Sequence, residues 1–423
     1  MRIAIVGAGI VGVTTAYELA ADGHDVTVFE RRGAAALETS FANAGVVAPG
    51  YVTPWAAPGM PAKVLRYLFS RHAPVRVTWP LTMRDVGWMW KWRGACAMDT
   101  YLANRARLQR LAFYSRERLH RVTDELQLEY DRSPGYMVML RSDKERKLVQ
   151  PGLQVLRDAG VNFREIEADA ARAIEPAINA DTQFAGAIHL PDDEVGNCRQ
   201  FALLLKNEAQ ARGAKFEFNA TVAPLDPARP NVLAVTPEGG EPQALRFDAV
   251  VICGGVEAAP LVRPLGLKVP LAPVYGYSIS APIREPLNAP RSGIMDERYK
   301  VAISRLGNRV RVAGSAEIGG HPDEKRTAAI QTLYKVLHDW FPGAAQIANT
   351  GAAVQEWKGA RPMLPDGPPV IGATHVPGVW LNLGHGSSGW ALSCGSARVV
   401  ADLIAGRAPQ VDMEGLGVER LAG

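Results

Sequence analysis

The chain has 423 residues, 47% of them hydrophobic, and a formal net charge of +4, a length that exceeds one ordinary small core and points to two intertwined units. Its Lys and Arg residues are scattered instead of clustering with aromatics as a nucleic-acid groove requires, which argues against a nucleic-acid partner. The four cysteines, Cys96, Cys198, Cys253 and Cys394, lie far apart with no C-x-x-C, so a zinc site, a redox pair and a disulfide framework are all disfavoured and the thiols are expected to be reduced and mostly buried.

The first element is the most informative. In M-R-I-A-I-V-G-A-G-I-V-G, residues 1–12, an apolar strand runs straight into a glycine turn that opens a helix. Gly7 permits the tight turn, Gly9 lets the backbone approach a pyrophosphate and Gly12 lets helix and strand pack closely, while Ala8, Ile10 and Val11 place backbone N–H groups at the helix N-terminus where phosphates bind. Val11 to Ala20 reads as helix, and H-D-V-T-V-F-E reads as a second strand ending in Glu30, whose carboxylate is expected to bond ribose hydroxyls. Arg31 and Arg32 follow, but Glu30 would repel a 2′-phosphate, which favours FAD or NAD over NADP. With the strand starting after Met1 and Arg2 there is no room for a signal peptide, and no run of about 18 apolar residues follows, so the chain is expected on the cytoplasmic side.

Residues 79–93, W-P-L-T-M-R-D-V-G-W-M-W-K-W-R, hold four of the nine tryptophans beside Arg84, Lys91 and Arg93. Two readings apply: a patch for peripheral contact with the cytoplasmic face of the inner membrane, or a helix that packs Trp88 and Trp92 into the core and leaves Trp90 partly exposed. Residues 101–130 carry Leu108, Leu111, Leu119, Val122 and Leu126 at helical spacing and read as one long helix or two. G-Y-M-V-M-L-R is strand-like, 198–212 is helical up to Gly213, and K-F-E-F-N-A-T-V, ending at Val222, alternates as a strand. F-D-A-V-V-I-C-G-G is a buried strand that brings Cys253 and Gly254 beside the dinucleotide. Segments 269–281, 299–304 and 309–314 read as antiparallel strands of a different sheet, and V-W-L-N-L-G-H-G-S-S-G-W repeats the strand, glycine turn and helix of the N-terminus.

Six segments together resemble the FAD-dependent amine oxidoreductases of the D-amino acid oxidase and glycine oxidase superfamily, and within it the small-subunit type of bacterial D-amino acid dehydrogenases. They are G-A-G-I-V-G-V-T-T-A at 7–16, L-E-T-S-F-A-N-A-G at 37–45, P-G-Y-V-T-P-W-A-A-P-G at 49–59, L-P-D-D-E-V-G-N-C at 190–198, G-A-R-P-M-L-P-D-G at 359–367 and L-G-H-G-S-S-G-W at 383–390. The resemblance is full-length. It implies an α/β fold: a Rossmann-type FAD-binding domain (1–50, 195–272 and 350–423) interleaved with an α+β substrate domain (51–194 and 273–349) whose mixed, mostly antiparallel sheet covers the flavin.

The resemblance also implies roles for particular residues. Arg361 in G-A-R-P would hold the substrate carboxylate, a task suited to a planar guanidinium that stays charged. Gly384, His385, Gly386, Ser387, Ser388 and Gly389 would bring a helix N-terminus to the pyrimidine edge of the flavin, with Ser387 and Ser388 as donors and His385 shaping the loop. Thr39 and Ser40 would reach the phosphates, and Asn43, Ala44 and Gly45 would run beside the ring. Tyr299, Tyr277 and Tyr51 are candidates for the substrate pocket. Close relatives usually carry a basic residue before G-Y-S, where this chain has Tyr275, and a cation there would affect substrate preference and reactivity with oxygen.

The expected reaction is oxidative deamination of a D-alanine-like D-amino acid to a 2-oxo acid and ammonia by hydride transfer to non-covalently held FAD, with electrons passed to a quinone or another acceptor. The alternative is an oxygen-using amine oxidase of the same fold acting on glycine, D-proline- or hydroxyproline-type imino acids or L-amino acids. Neither needs a metal.

Overall fold

The computed structural model describes residues 1–67, 70, 72–347 and 354–422. Strand Arg2–Val6 is buried from Ile3 onward and sits at the centre of a six-stranded sheet, parallel to Asp25–Phe29 on one side and to Ala249–Ile252 on the other. Covered on both faces, such a strand has no solvent side to mark with polar residues, which is why it reads as an unbroken apolar run. Lys215–Glu217 and Val379–Leu383 extend the sheet in parallel, and Val370–Ala373 closes it antiparallel. Helices Ile10–Ala21, Cys198–Ala211 and Gly389–Ile404 pack on it, together with Met98–Leu126, a single helix that ends where Gln127 turns left-handed at φ 52°.

The segment that alternates over 215–222 is two strands in two sheets. Asn219, at φ 53°, breaks it, and Ala220–Val222 joins a separate three-stranded sheet with Val232–Pro237 and Gln243–Arg246. A left-handed turn at Asn costs little, so the polar asparagine in the alternating pattern was the signal.

The larger, ten-stranded sheet contains the order 355–363, 272–282, 309–319, 301–306, 293–296, 133–140, 186–195, 46–47. Helix Thr327–Trp340 covers one face through Leu333, Val336 and Trp340. Strand Gln355–Met363 hydrogen-bonds along Ala272–Pro282 in this sheet, although its sequence falls in the stretch assigned to the FAD unit, and Val46–Val47, from the N-terminal stretch, pairs with Gly186–Val195 in the same sheet. The boundary expected at 349/350 lies outside the described residues.

Candidate cofactor cleft and substrate arginine

The cleft opens where the parallel strands of the six-stranded sheet end. Gly7, at φ 102°, packs so closely on the neighbouring strand that a Cβ would lie 2.8 Å from the Cys253 carbonyl oxygen, and a Cβ on Gly12 would lie 1.9 Å from the Gly7 oxygen. Both positions exclude any side chain, whereas Gly9 faces the cleft and a Cβ there would meet only Ser40 Oγ at 3.5 Å. Helix Ile10–Ala21 has no cap from its own cap residue, and its first N–H donates to Ser40 Oγ at 3.0 Å. A second helix, Gly389–Ile404, entered through the short helix Gly386–Ser388, also starts without a side-chain cap. Uncapped N–H groups and the positive end of the dipole suit anionic groups.

Glu30 ends strand Asp25–Phe29 at the cleft, and its carboxylate accepts from Ala8 N–H at 2.8 Å and Arg32 N–H at 2.9 Å. Arg31 and Arg32 are both engaged by Glu38, at 2.7 and 2.9 Å. The two arginines that a 2′-phosphate would need therefore already share one carboxylate. Thr39, Ser40, Val222, Gly254, Gly384, Gly386 and Gly389 all line the cleft. Cys253 does too, with its thiol pushed up to about 12 by burial. Ala8, Gly12, Asn43, Ala44, Gly45, Ser387 and Ser388 lie behind or beyond the lining. His385 lines it but is buried, its ring bonded to Ser396 Oγ at 2.9 Å and its pKa pushed down to about 3 by burial, in keeping with a residue that shapes the loop.

The sequence reading passed over Asn382. It is fully buried, donates to Thr15 Oγ1 at 3.0 Å, lines the cleft and leaves its Oδ1 without a partner. A lone amide inside V-W-L-N-L was the available sign, because a buried polar atom left unpaired is costly unless a ligand reaches it.

Arg361 lies on strand Gln355–Met363, next to Pro362, which lines the cleft, and Met363, which bridges to His385. Its guanidinium lies across Gly276, where a Cβ would be 2.3 Å from Nη2. Only glycine leaves room for it. Nη1 donates to the Ser315 carbonyl at 3.0 Å and Trp55 stands 5.8 Å away, while Trp88 closes the wall by donating to the Met363 carbonyl at 2.9 Å. Among the described residues no carboxylate lies within 4 Å of this guanidinium, and burial pushes its pKa down to about 10. It stays charged at neutral pH with no internal counter-ion.

The tyrosines are distributed differently from expectation. Strand alternation puts Val274 and Gly276 on the face of Arg361, but Tyr275 and Tyr277 on the other. There Tyr277 bonds Glu317, and Lys358 sits 4.4 Å from the centre of the Tyr275 ring. Tyr299 packs beside Arg141 and Lys335, at 5.2 and 5.5 Å, on the side of helix Thr327–Trp340. Period-two geometry therefore keeps Tyr275 and Tyr277 away from Arg361, and the contacts of Tyr299 place it on that same side. Tyr51 ends the short helix Pro49–Tyr51 against the cluster of Tyr136, Val138 and Ile188, and burial pushes its phenol well above its ordinary range.

The chain is matched over residues 2–403 by the family described as FAD dependent oxidoreductase. It belongs to that family. It is 44% identical over 100% of its length to a D-amino acid dehydrogenase of Cereibacter sphaeroides, of which it covers 96%, and 42% identical over 100% of its length to one of Bradyrhizobium diazoefficiens, of which it covers 99%. In fold it is similar to glycine oxidase from Geobacillus kaustophilus, at a TM-score of 0.73 and 22% identity, covering 99% of this chain and 98% of that one. The cofactor is FAD, and the cleft fits it: two glycines that admit no side chain, two helix N-termini without a cap from their own cap residues, Glu30 at a strand end and the unpaired oxygen of Asn382.

Proposed function

We propose that the protein is a D-amino acid dehydrogenase that oxidises a D-alanine-like substrate to the 2-oxo acid and ammonia. The observation that carries this reading is the part-buried Arg361 guanidinium, which among the described residues has no carboxylate within 4 Å and adjoins the cofactor cleft. A bidentate bond to the substrate carboxylate would compensate that charge and fix the Cα. Trp55, Trp88 and Met363 exclude water around the anchored group. When bound, FAD would supply the two-electron acceptor for the Cα–H hydride, and the imine product would hydrolyse in water to the 2-oxo acid and ammonia. The helix N-terminus at Gly389 would help to hold the flavin and would offer fixed positive charge to the negative charge it gains on reduction. Electrons then leave to a quinone or another acceptor.

The test is anaerobic mixing of the purified yellow protein with D-alanine and, separately, with L-alanine, followed by flavin absorbance. Bleaching by the D form alone is expected. Bleaching by neither, with rapid bleaching by glycine or a cyclic imino acid, would overturn the reading in favour of the amine-oxidase alternative.

The finer proposal concerns where it works. Helix Met83–Gly94 turns Trp88 inward and leaves Met83, Val86 and Trp90 exposed at 86%, 47% and 73%, with Trp79 at 79% just before it. Met83, Val86 and Trp90 are spaced i, i+3, i+7 on one face, and Arg84, Lys91 and Arg93 lie on the same helix. Such a surface suits peripheral contact with anionic lipid. Among the described residues no helix is long and apolar enough to cross a membrane. Flotation with anionic vesicles is expected to carry the wild-type protein and to lose Trp90→Glu; equal flotation of both would remove the proposal.

A further inference from the structure

Arg311 is a second part-buried guanidinium that, among the described residues, has no carboxylate within 4 Å. It projects from strand Arg309–Gly319, and Nη1 donates to the Asn43 carbonyl at 3.1 Å while its buried Nε has no partner. Its charged neighbours are Arg309 and Arg199, both cations, and Cys198 is the remaining ionisable group acting on it. Among the described residues no carboxylate lies within 4 Å, and burial pushes its pKa down to about 10, so it too is charged at neutral pH.

The segment it holds begins in the cleft wall. Leu37 to Ser40 line the cleft, and the loop then crosses the larger sheet on three side-chain contacts: Thr39 Oγ1 to the Ala360 carbonyl at 2.5 Å, Arg311 to Asn43, and Ser304 Oγ to the Ala44 carbonyl at 2.7 Å. At its two ends, neutral hydroxyls suffice to anchor the loop. A charge at the middle contact strengthens that one bond but costs desolvation that no internal carboxylate returns. Tyr275 replaces the cation expected before G-Y-S, but it stands on the opposite face, where Lys358 already donates to the His321 and Glu324 carbonyls at 2.7 and 2.8 Å.

We propose that Arg311 is the fixed positive charge on the sheet side of the flavin, acting through the Asn43–Gly45 loop to favour the reduced, negatively charged state of the cofactor. The proposal rests on the reading that this loop flanks the flavin ring. A preorganised charge stabilises charge that develops beside it without reorganisation. Arg311 is thus a positioning and electrostatic residue, whereas Arg361 is the one that touches substrate.

The experiment equilibrates flavin-loaded wild type, Arg311→Gln, Arg311→Lys and Ser304→Ala with a reference redox dye and reads the ratio of reduced to oxidised flavin. Glutamine keeps an N–H donor for Asn43 and loses the charge; that variant is expected to show a ratio at least tenfold lower. Lysine keeps the charge and is expected within about threefold of wild type, as is Ser304→Ala, which removes a neutral anchor of the same loop. A wild-type ratio in Arg311→Gln overturns the proposal. So does an equal fall in Arg311→Lys or Ser304→Ala, which would make loop position and not charge the cause. Should Arg311→Gln not fold with flavin bound, Arg311→Lys against Ser304→Ala decides in the same way, a tenfold fall in either counting against it. The substrate reading fails separately, through the D-alanine bleaching test.

Discussion

Two groups of largely enclosed arginines in this molecule differ in whether acids accompany them. Behind the six-stranded sheet, Glu18 of helix Ile10–Ala21 receives Arg118 in a two-point contact at 2.6 and 2.9 Å and Arg398 at 2.9 Å, and Arg398 also reaches Asp22 and Asp402. Three helices, Ile10–Ala21, Met98–Leu126 and Gly389–Ile404, are bound together by that one carboxylate. Burial alone would lower the Arg398 pKa, but Asp22, Glu18 and Asp402 more than reverse it and hold it above its ordinary value. Arg361 and Arg311 show the opposite: burial acts with no acid to answer it, and both are pushed down to about 10. A buried cation that brings its own acids is part of the scaffold, and one left without them, as proposed for Arg361 and Arg311, is free to meet charge arriving from outside.

The largest expected effect breaks the scaffold side. Glu18→Gln removes the shared carboxylate while Arg118 stays mostly buried, so stability is expected to fall by about 3–5 kcal/mol, read from denaturant midpoints, with the remaining folded protein still turning over normally. A loss below about 1 kcal/mol, the value of an exposed pair, would show that the network contributes no more than surface ion pairs do. Arg361→Met tests the other side and is expected to move the two readouts apart. Unfolding temperature without substrate should hold or rise, because an uncompensated charge leaves an apolar wall. kcat/KM should fall about 30-fold to several thousand-fold, from the roughly 2–5 kcal/mol of a desolvated pair broken at one end. FAD should be retained. Saturation kinetics like those of wild type would end the assignment of Arg361 to the substrate carboxylate.

Much of this contrast was legible in the sequence, and the reason it was incomplete is geometric. The glycines of 7–12 could be read because each has a local task set by neighbours a few residues away, whereas the role proposed for Arg361 comes from its resemblance to a family motif. The tyrosines could not: whether Tyr275 or Gly276 faces the cleft depends on which face of a sheet is covered by helix Thr327–Trp340, contributed by residues some fifty positions later. Arg311 was invisible for the same reason. In R-V-R-V-A-G it looks like the solvent side of an alternating edge, and only the tertiary packing of the 37–45 loop buries it. The break at Asn219 was missed because alternation continues in the letters across a turn that changes sheet.

The smallest expected effect concerns His385, a buried group whose neutrality belongs to the scaffold although it lies in the cleft. Its folded pKa is about 3, against about 6.5 in the unfolded chain. Above pH 6.5 neither state binds the proton and the residue contributes no slope. Below it the unfolded chain takes up a proton that the folded chain refuses, so stability is lost as pH falls from about 6.5 toward 3, at up to about 1.4 kcal/mol per pH unit. His385→Gln, which keeps a polar partner for Ser396, is expected to flatten that acid limb in denaturant midpoints taken at pH 7.5, 6 and 5 while leaving the slope above pH 7 alone. The pH profile of kcat/KM should keep its shape, because a group titrating near 3 gives no limb near neutrality. A limb near pH 6.5 that disappears in His385→Gln would instead move His385 from the scaffold to the chemistry, and the division between paired and unpaired buried charge would no longer be enough to sort the cleft.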